Sequence, residues 1–262
     1  MAGIVAQIDK SRLGGLRRVE LYGNPGTLEG RGKAGKRTTS FFRDNPIFAR
    51  KVGFVIRKEI KYPVRCVKLA ELIGVILGDG GLSGNHQLII SFNSKTDKEY
   101  SVFLGNILKE LFSIDSYIRL RKNCNGADIV VSSSNLIDFL LRQGLVAGSK
   151  VKNQVDIPHW IYDKVAYQKA CVRGLIDTDG SFYCHRYNSN GKNYSYLKLC
   201  FASRSKPLLN SVLRILRQFD FDAYLHGDQV FIYSMSGIKK YFEEIGTHNP
   251  KHSDKIIKFL AN

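Results

Sequence analysis

From Val67 onward the apolar and polar positions fall into two matching series. A helix-like apolar run, LAELIGVILGDGG (69–81), returns one hundred residues later as KACVRGLIDTDGS (169–181). Ala70/Ala170, Gly74/Gly174, Asp79/Asp179 and Gly80/Gly180 coincide, and Thr178 stands where the first run has Gly78. Behind the first run come strand-like QLIISFN (87–93), helix-like 97–112, strand-like SYIRLRKN (116–123) and ADIVVSS (127–133), then helix-like 135–144. Behind the second come GSFYCHRY (180–187) and YSYLKLCFAS (194–203), helix-like 206–219, FDAYLHG (221–227) and DQVFIYS (228–234), then helix-like 237–246. The apolar period switches between 3.6 and 2 in the same order each time. The expected fold is α+β: two pseudo-symmetric αββαββα repeats, 66–157 and 158–262, joined near Asp156-Ile157-Pro158. Asn188-Ser189-Asn190-Gly191 and His226-Gly227-Asp228 read as hairpin turns.

Residues 1–65 lie outside this pattern. Their only long helical segment is Asn45 to Glu59, opened by Asn45-Pro46. The rest, with GNPG at 23–26 and GRGKAG at 30–35, reads as a glycine-rich arm.

Charge changes the picture. The 262 residues carry 40 Lys/Arg against 23 Asp/Glu, a net +17, which favours a polyanion partner such as nucleic acid. Residues 1–65 hold 15 of the basic residues and 5 of the acidic ones, more than half the surplus. They are therefore expected to be a basic N-terminal extension giving accessory DNA binding, with Lys33, Lys36 and Arg37 as candidate contacts. Apolar residues, at 44%, suffice for a core. The most apolar stretch, Leu69 to Gly78, is far short of the roughly 20 residues of a membrane span, so no membrane partner is expected. No signal-like core opens the chain, so an intracellular location is expected, in the cytoplasm or an organelle. Five scattered cysteines without C-x-x-C argue against a disulfide framework or a cysteine zinc site. GRGKAG lacks a preceding strand, and Arg37 follows Lys36 where a nucleotide loop needs Ser or Thr. His248 and His252 are separated by Pro250 and do not make a zinc pair on one helical face.

The chemistry lies in the two repeated helices. Ala70, Gly74 and Gly78, and likewise Ala170, Gly174 and Thr178, recur every four residues and line one face of each helix. A small-residue stripe lets two backbones approach closely, and each stripe is the natural partner of the other. Each helix then ends in Asp-Gly, where the glycine suits a left-handed closing turn. The aspartate is badly placed for stability, because the C-terminal end of the helix dipole is negative. Packing the helices side by side brings Asp79 and Asp179 together, and two such carboxylates repel unless cations bind between them. Oxygen ligands with room for water suit Mg²⁺, and paired carboxylates holding divalent ions serve in-line attack at phosphate.

Leu72 to Gly80 (LIGVILGDG) and Val172 to Gly180 (VRGLIDTDG) resemble the nine-residue motif of the LAGLIDADG homing endonucleases, in their single-chain, two-motif form. The resemblance covers about 66–262. It implies a saddle of two antiparallel sheets over double-stranded DNA, with the motif helices as the interface. It implies that Asp79 and Asp179 bind divalent metal (Mg²⁺, or Mn²⁺ or Ca²⁺ in crystals), with Gly78 and Thr178 beside them, and cut both strands across the minor groove. The family also places basic residues near the metals, and here Lys150 and Lys251, after each copy's last helix, are the preferred pair. The first motif has Leu77 where the second has Asp177, a position that is not a metal ligand in the family pattern.

Strand alternation marks a polar face: Gln87, Ser91 and Asn93; Tyr117, Arg119, Arg121 and Asn123, opposite Ile118 and Leu120; Tyr196 and Lys198; Tyr224 and His226. These side-chain types read base edges or neutralise phosphate. The expected protein is a monomeric, Mg²⁺-dependent, site-specific endonuclease of the intron-homing type. Its rivals are a maturase binding intron RNA and a non-catalytic DNA-binding regulator on the same scaffold.

Overall fold

The computed structural model describes residues 2–261. The chain forms two compact units that part between Arg57 and Lys58.

The first unit is helical: α1 (Ala2–Tyr22), α2 (Leu28–Asp44) and α3 (Pro46–Lys51). This corrects the expectation of a glycine-rich arm followed by one long helix from Asn45 to Glu59. Thr27 starts α2 by accepting the Gly30 N–H at 3.1 Å, and the helix runs through the GRGKAG segment. Gly30 is there for close approach, since a Cβ would overlap the carbonyl of Asn24. Pro46 restarts the chain as α3 at a position where its missing N–H costs nothing. Gly53, at φ +73°, follows immediately, and the backbone does not continue helical to Glu59. Phe42 stacks on Phe54 at 4.1 Å, with Phe41 and Phe48 beside them, and these rings are the unit's apolar centre. Lys33 pairs with Glu29 at 2.8 Å, and Arg37 lies 4.0 Å over the Tyr22 ring.

The second unit holds two repeats of one order. The first is α4 (Val67–Leu77), β1 (Gly80–Ser83), β2 (Gln87–Asn93), α5 (Lys98–Phe112), β3 (Tyr117–Leu120), β4 (Gly126–Ser132) and α6 (Ser134–Arg142). A short helix, α7 (Lys150–Asn153), and a 3-10 turn (His159–Asp163) lead on. The second repeat is α8 (Val165–Asp179), β5 (Gly180–Ser189), β6 (Lys192–Ala202), α9 (Lys206–Gln218), β7 (Ala223–His226), β8 (Gln229–Ile232) and α10 (Met235–Glu244), followed by α11 (Pro250–Leu260). Each repeat folds into a four-stranded antiparallel sheet with the same order, β1-β2-β4-β3 and β5-β6-β8-β7.

The core lies on the inner face of each sheet. Leu88 and Ile90 on β2, and Leu197, Leu199 and Phe201 on β6, are buried against the helices, as alternation predicts. The outer strand β3 departs from that prediction: Ile118 and Leu120 are 54% and 70% exposed. As an edge strand β3 has one neighbour, β4, and the apolar cover does not reach it. Among the described residues no helix is long and apolar enough to cross a membrane.

Candidate active site

The site begins with the close apposition of α4 and α8. A Cβ on Gly74 would overlap the carbonyl of Cys171, and one on Gly174 would overlap the carbonyl of Glu71. Each helix thus takes the other's backbone into its own glycine gap. At the next turn Gly78 lies against Thr178, whose hydroxyl donates back to the Gly174 and Leu175 carbonyls at 2.9 and 3.0 Å. Ala70 and Ala170 are fully buried in the same seam.

The glycines that follow the acids act differently from the sequence expectation. Gly180 is extended, at φ −86° and ψ 161°, and Gly80 is not among the residues with positive φ. They are required because a Cβ would overlap the backbone of Ile76 or Ile176 as each strand turns straight out of its helix.

Asp79 and Asp179 emerge at this shared end, close enough that the Asp79 charge acts on Asp179. Burial, and then that charge, push the Asp179 carboxyl up to about 6 against the pull of Lys150. Burial also raises Asp79; Lys150 and Lys251 oppose the rise, and the Asp97 charge adds to it. Lys150 donates to the Leu77 carbonyl at 2.9 Å and to the Gly78 carbonyl. Burial lowers its ammonium below the usual lysine value while Asp179 and Asp79 hold it up. Leu77, Gly78, Lys150, Asp179, Arg204 and Ser205 line a cleft of about 430 Å³. The fold thus brings Asp79, Asp179, Gly78, Thr178, Lys150 and Lys251 to one end of the helix pair. Two neighbouring buried carboxylates, one of them raised further by the other's charge, beside the Gly78 carbonyl suit a hard divalent cation.

A buried network beneath this end went unread in the sequence. Glu71, 2% exposed inside α4, takes Arg173 of α8 at 2.6 Å and His248 Nδ1 at 2.5 Å. Burial alone would raise its carboxyl, but His248 and Arg173 outweigh burial and hold it below the ordinary value. Asp177 accepts from the Thr247 hydroxyl and from the His248 N–H at 2.8 Å, and burial still pushes it up to about 7. Oxygen and nitrogen atoms of Glu71, Asp177 and His248 lie within 4.8 Å of one another. The Arg173 guanidinium already neutralises Glu71, and donors fill Asp177, so this trio is a closed hydrogen-bond network rather than a cation cage. Asn249 joins it to the surface, donating to the Asp177 carbonyl at 2.9 Å and to Asp97 Oδ1 at 3.2 Å. Charged residues inside the apolar motif helices (Glu71, Arg173) were the available signal, but their pairing requires the helix crossing to be known.

The polar face of the first sheet is organised around Asp128, a residue strand alternation did not single out. Register sets Ser91 and Arg119 on either side of it. Arg119 reaches it at 3.0 Å, Arg121 also pairs with it, and Ser91 donates at 3.0 Å. Burial raises the Asp128 carboxyl, but these three donors outweigh burial and hold it down. Gln87 donates to Ser132 at 3.3 Å, and Tyr117 is exposed. Asn93 is turned to a local task, accepting from the Lys95 and Thr96 N–H groups. Asn123 lies past the end of β3 in a left-handed turn, at φ 59°, rather than on the strand face.

The second sheet's outer face is aromatic instead. Tyr196 stacks with Tyr187 and Tyr194 at 5.9 and 6.4 Å, Lys198 lies 5.0 Å over Tyr233, and Tyr224 meets Tyr233 at 5.9 Å. His226 is exposed at the end of β7.

Residues 166–246 match the family model of the LAGLIDADG-like domain. No curated protein matches the chain. Among solved structures, mesophilic variants of the homing endonuclease I-DmoI align at 20% identity and a TM-score of 0.47, over 69% of this chain and 95% of theirs. The meganuclease I-SmaMI bound to uncleaveable DNA aligns at 14% and 0.49, over 70% and 86%. Full-length DUF199/WhiA from Thermatoga maritima aligns at 20% and 0.48, over 75% and 62%. Residues 166–246 thus carry a LAGLIDADG-like domain, and the same helix, sheet order and terminal acid stand a hundred residues earlier in the first repeat.

Proposed function

We propose that this protein is a monomeric, site-specific double-strand DNA endonuclease of the intron-homing type. The observation that carries the reading is the shared end of α4 and α8, where Asp79 and Asp179 meet with Lys150 and Lys251 beside them. Asp79, Asp179 and the Gly78 carbonyl would hold Mg²⁺. The bound ion would supply Lewis acidity toward phosphate and lower the pKa of a water. The chain's own groups do the rest. The glycine seam fixes the spacing of the two acids, one for each strand. Lys150 and Lys251 place positive charge where a pentavalent phosphate develops its own charge. Asp128 holds Arg119 and Arg121 in a fixed fork on the polar face, which removes most of their rotamer entropy before a groove or phosphate is met. Gln87, Tyr117, Lys198, Tyr224 and His226 extend this face. Residues 1–65 add affinity through Lys33, Lys36 and Arg37, by phosphate contacts that do not depend on sequence.

The test uses a plasmid carrying the two flanks of the reading frame joined together. Mg²⁺ should allow linearisation, and Asp79→Asn and Asp179→Asn should each abolish double-strand cutting while DNA binding survives. Unchanged cutting by both variants would overturn the metal assignment. Binding without cutting by the parent protein would leave a regulator in place of a nuclease.

A further inference from the structure

The two halves of the site are not electrostatically alike. Before α5 stands Asp97; at the same place before α9 stands Ser205. Asp97 holds Lys251 in an ion pair at 2.9 Å. It also takes the Asn249 amide at 3.2 Å and the Asn93 N–H at 3.2 Å. Burial pushes the Asp97 carboxyl up, but Lys251 and these donors outweigh burial and hold it charged. Around Asp79 there is thus a second carboxylate with Lys251 held against it, besides the Lys150 charge that acts on both aspartates, in a slot of only about 10 Å³. Around Asp179 the corresponding serine turns its hydroxyl to the Val155 carbonyl at 2.5 Å. Lys150 donates to the Leu77 and Gly78 carbonyls and its charge acts on both aspartates, and exposed Arg204 lines the cleft of about 430 Å³ beside Asp179. The Asp79 half thus carries an additional acid and a narrow slot, and the Asp179 half lacks that acid and opens on the wider cleft with Arg204.

We infer that Asp97 is a positioning residue that makes the half-sites unequal: it strengthens cation binding at Asp79 while holding Lys251 back from phosphate. The strand served by Asp179, beside the open cleft and Arg204, is then cut first, and the strand served by Asp79 waits for Lys251 to leave Asp97. The strand-order part of this inference rests on the nuclease reading; the unequal cation affinities do not.

Asp97→Asn keeps the shape and most hydrogen bonds of the side chain and removes its charge. Two measurements on the full chain test the inference. Mn²⁺ alone, titrated by electron paramagnetic resonance, should bind the parent in two unequal classes. In Asp97→Asn the tighter class should weaken by roughly 5- to 10-fold, the effect of one charge removed a few ångströms away. With an end-labelled duplex of the joined flanks and saturating Mg²⁺, the parent should cut one strand several-fold faster. Asp97→Asn should speed the slow strand, because Lys251 is released. A merely structural defect would lower metal affinity and cutting rate together, whereas here they move in opposite directions. A single Mn²⁺ class unchanged by the substitution overturns the inference, whatever the cutting shows. Equal strand rates in parent and variant overturn its strand-order part. Two Mn²⁺ classes that converge in Asp97→Asn, with no strand cut by the parent, uphold the inequality and reject the nuclease reading.

Discussion

Asp179 carries a cost that the folded chain bears only when no cation is bound. Its carboxyl titrates at about 6 in the folded protein against 3.8 for the free group. A raised acid pKa means the folded state holds the proton more tightly. Stability is therefore greatest below pH 4 for this group and falls as pH rises from about 4 to 6. In chelator, Asp179→Asn should match the parent's melting temperature near pH 4 and exceed it at pH 7, with the gap opening between. Calorimetry at the two pH values checks this, and a constant gap would mean that neither burial nor the Asp79 charge raises this carboxyl. Asp177 shares the upward direction but not the remedy, since Thr247 and His248 already serve it, and burial, with the Glu71 charge behind it, keeps it high. The two acids stand two residues apart in one helix and differ because one faces the other repeat's acid and the other faces the interior. That difference is invisible in the letters DTD.

At the scale of elements, the seam between α4 and α8 sets everything the acids can do. Gly174→Ala must push Glu71 and Val75 backbone away, and overpacking of this kind should cost roughly 2–4 kcal/mol in urea unfolding. Gly35→Ala, in open space on α2, should instead be neutral or stabilising by up to about 1 kcal/mol. Equal effects at both positions would mean the seam is looser than described. The small-residue stripes, the order of element types along each repeat and the hairpin turns were legible beforehand, because they depend on period and local backbone preference. Positive φ at Asn190 and Gly191 fits the hairpin read there. The edge exposure of Ile118 and Leu120 was not legible, since alternation says which residues share a face but not whether anything covers it. The helices α1 and α2 were missed because glycine lowers helix propensity; in α2 the cap at Thr27 and the packing of Gly30 on Asn24 outweigh that penalty.

For the whole molecule, the net charge of +17 bears on the proposed binding of DNA. Three cations on α2, Lys33, Lys36 and Arg37, belong to the first unit, and Lys33 is already paired with Glu29. Replacing all three with Gln should weaken binding on every sequence alike. The log affinity against log salt plot should become shallower by roughly 2. Anisotropy titrations across a range of salt, on matched and scrambled duplexes, would show it. A loss confined to one sequence would instead make these residues readers of bases. The two sheets contribute differently, one through arginines clamped on Asp128 and the other through stacked tyrosines. A pseudo-symmetric scaffold thus presents an asymmetric face, as an asymmetric target would need.

The sequence by itself determined the duplication, the order of element types within the two repeats, the two small-residue stripes and the pair of terminal aspartates. Each of these is written in periodicity or in residue size within a single turn or helix. Only the tertiary structure decided which side chains neutralise one another: Glu71 with Arg173 and His248, Asp128 with two arginines, Asp97 with Lys251. Coulomb energy depends on distance through space and on what solvent is excluded. Residues separated by 154 positions can therefore meet at 2.9 Å with no mark in the chain to announce it.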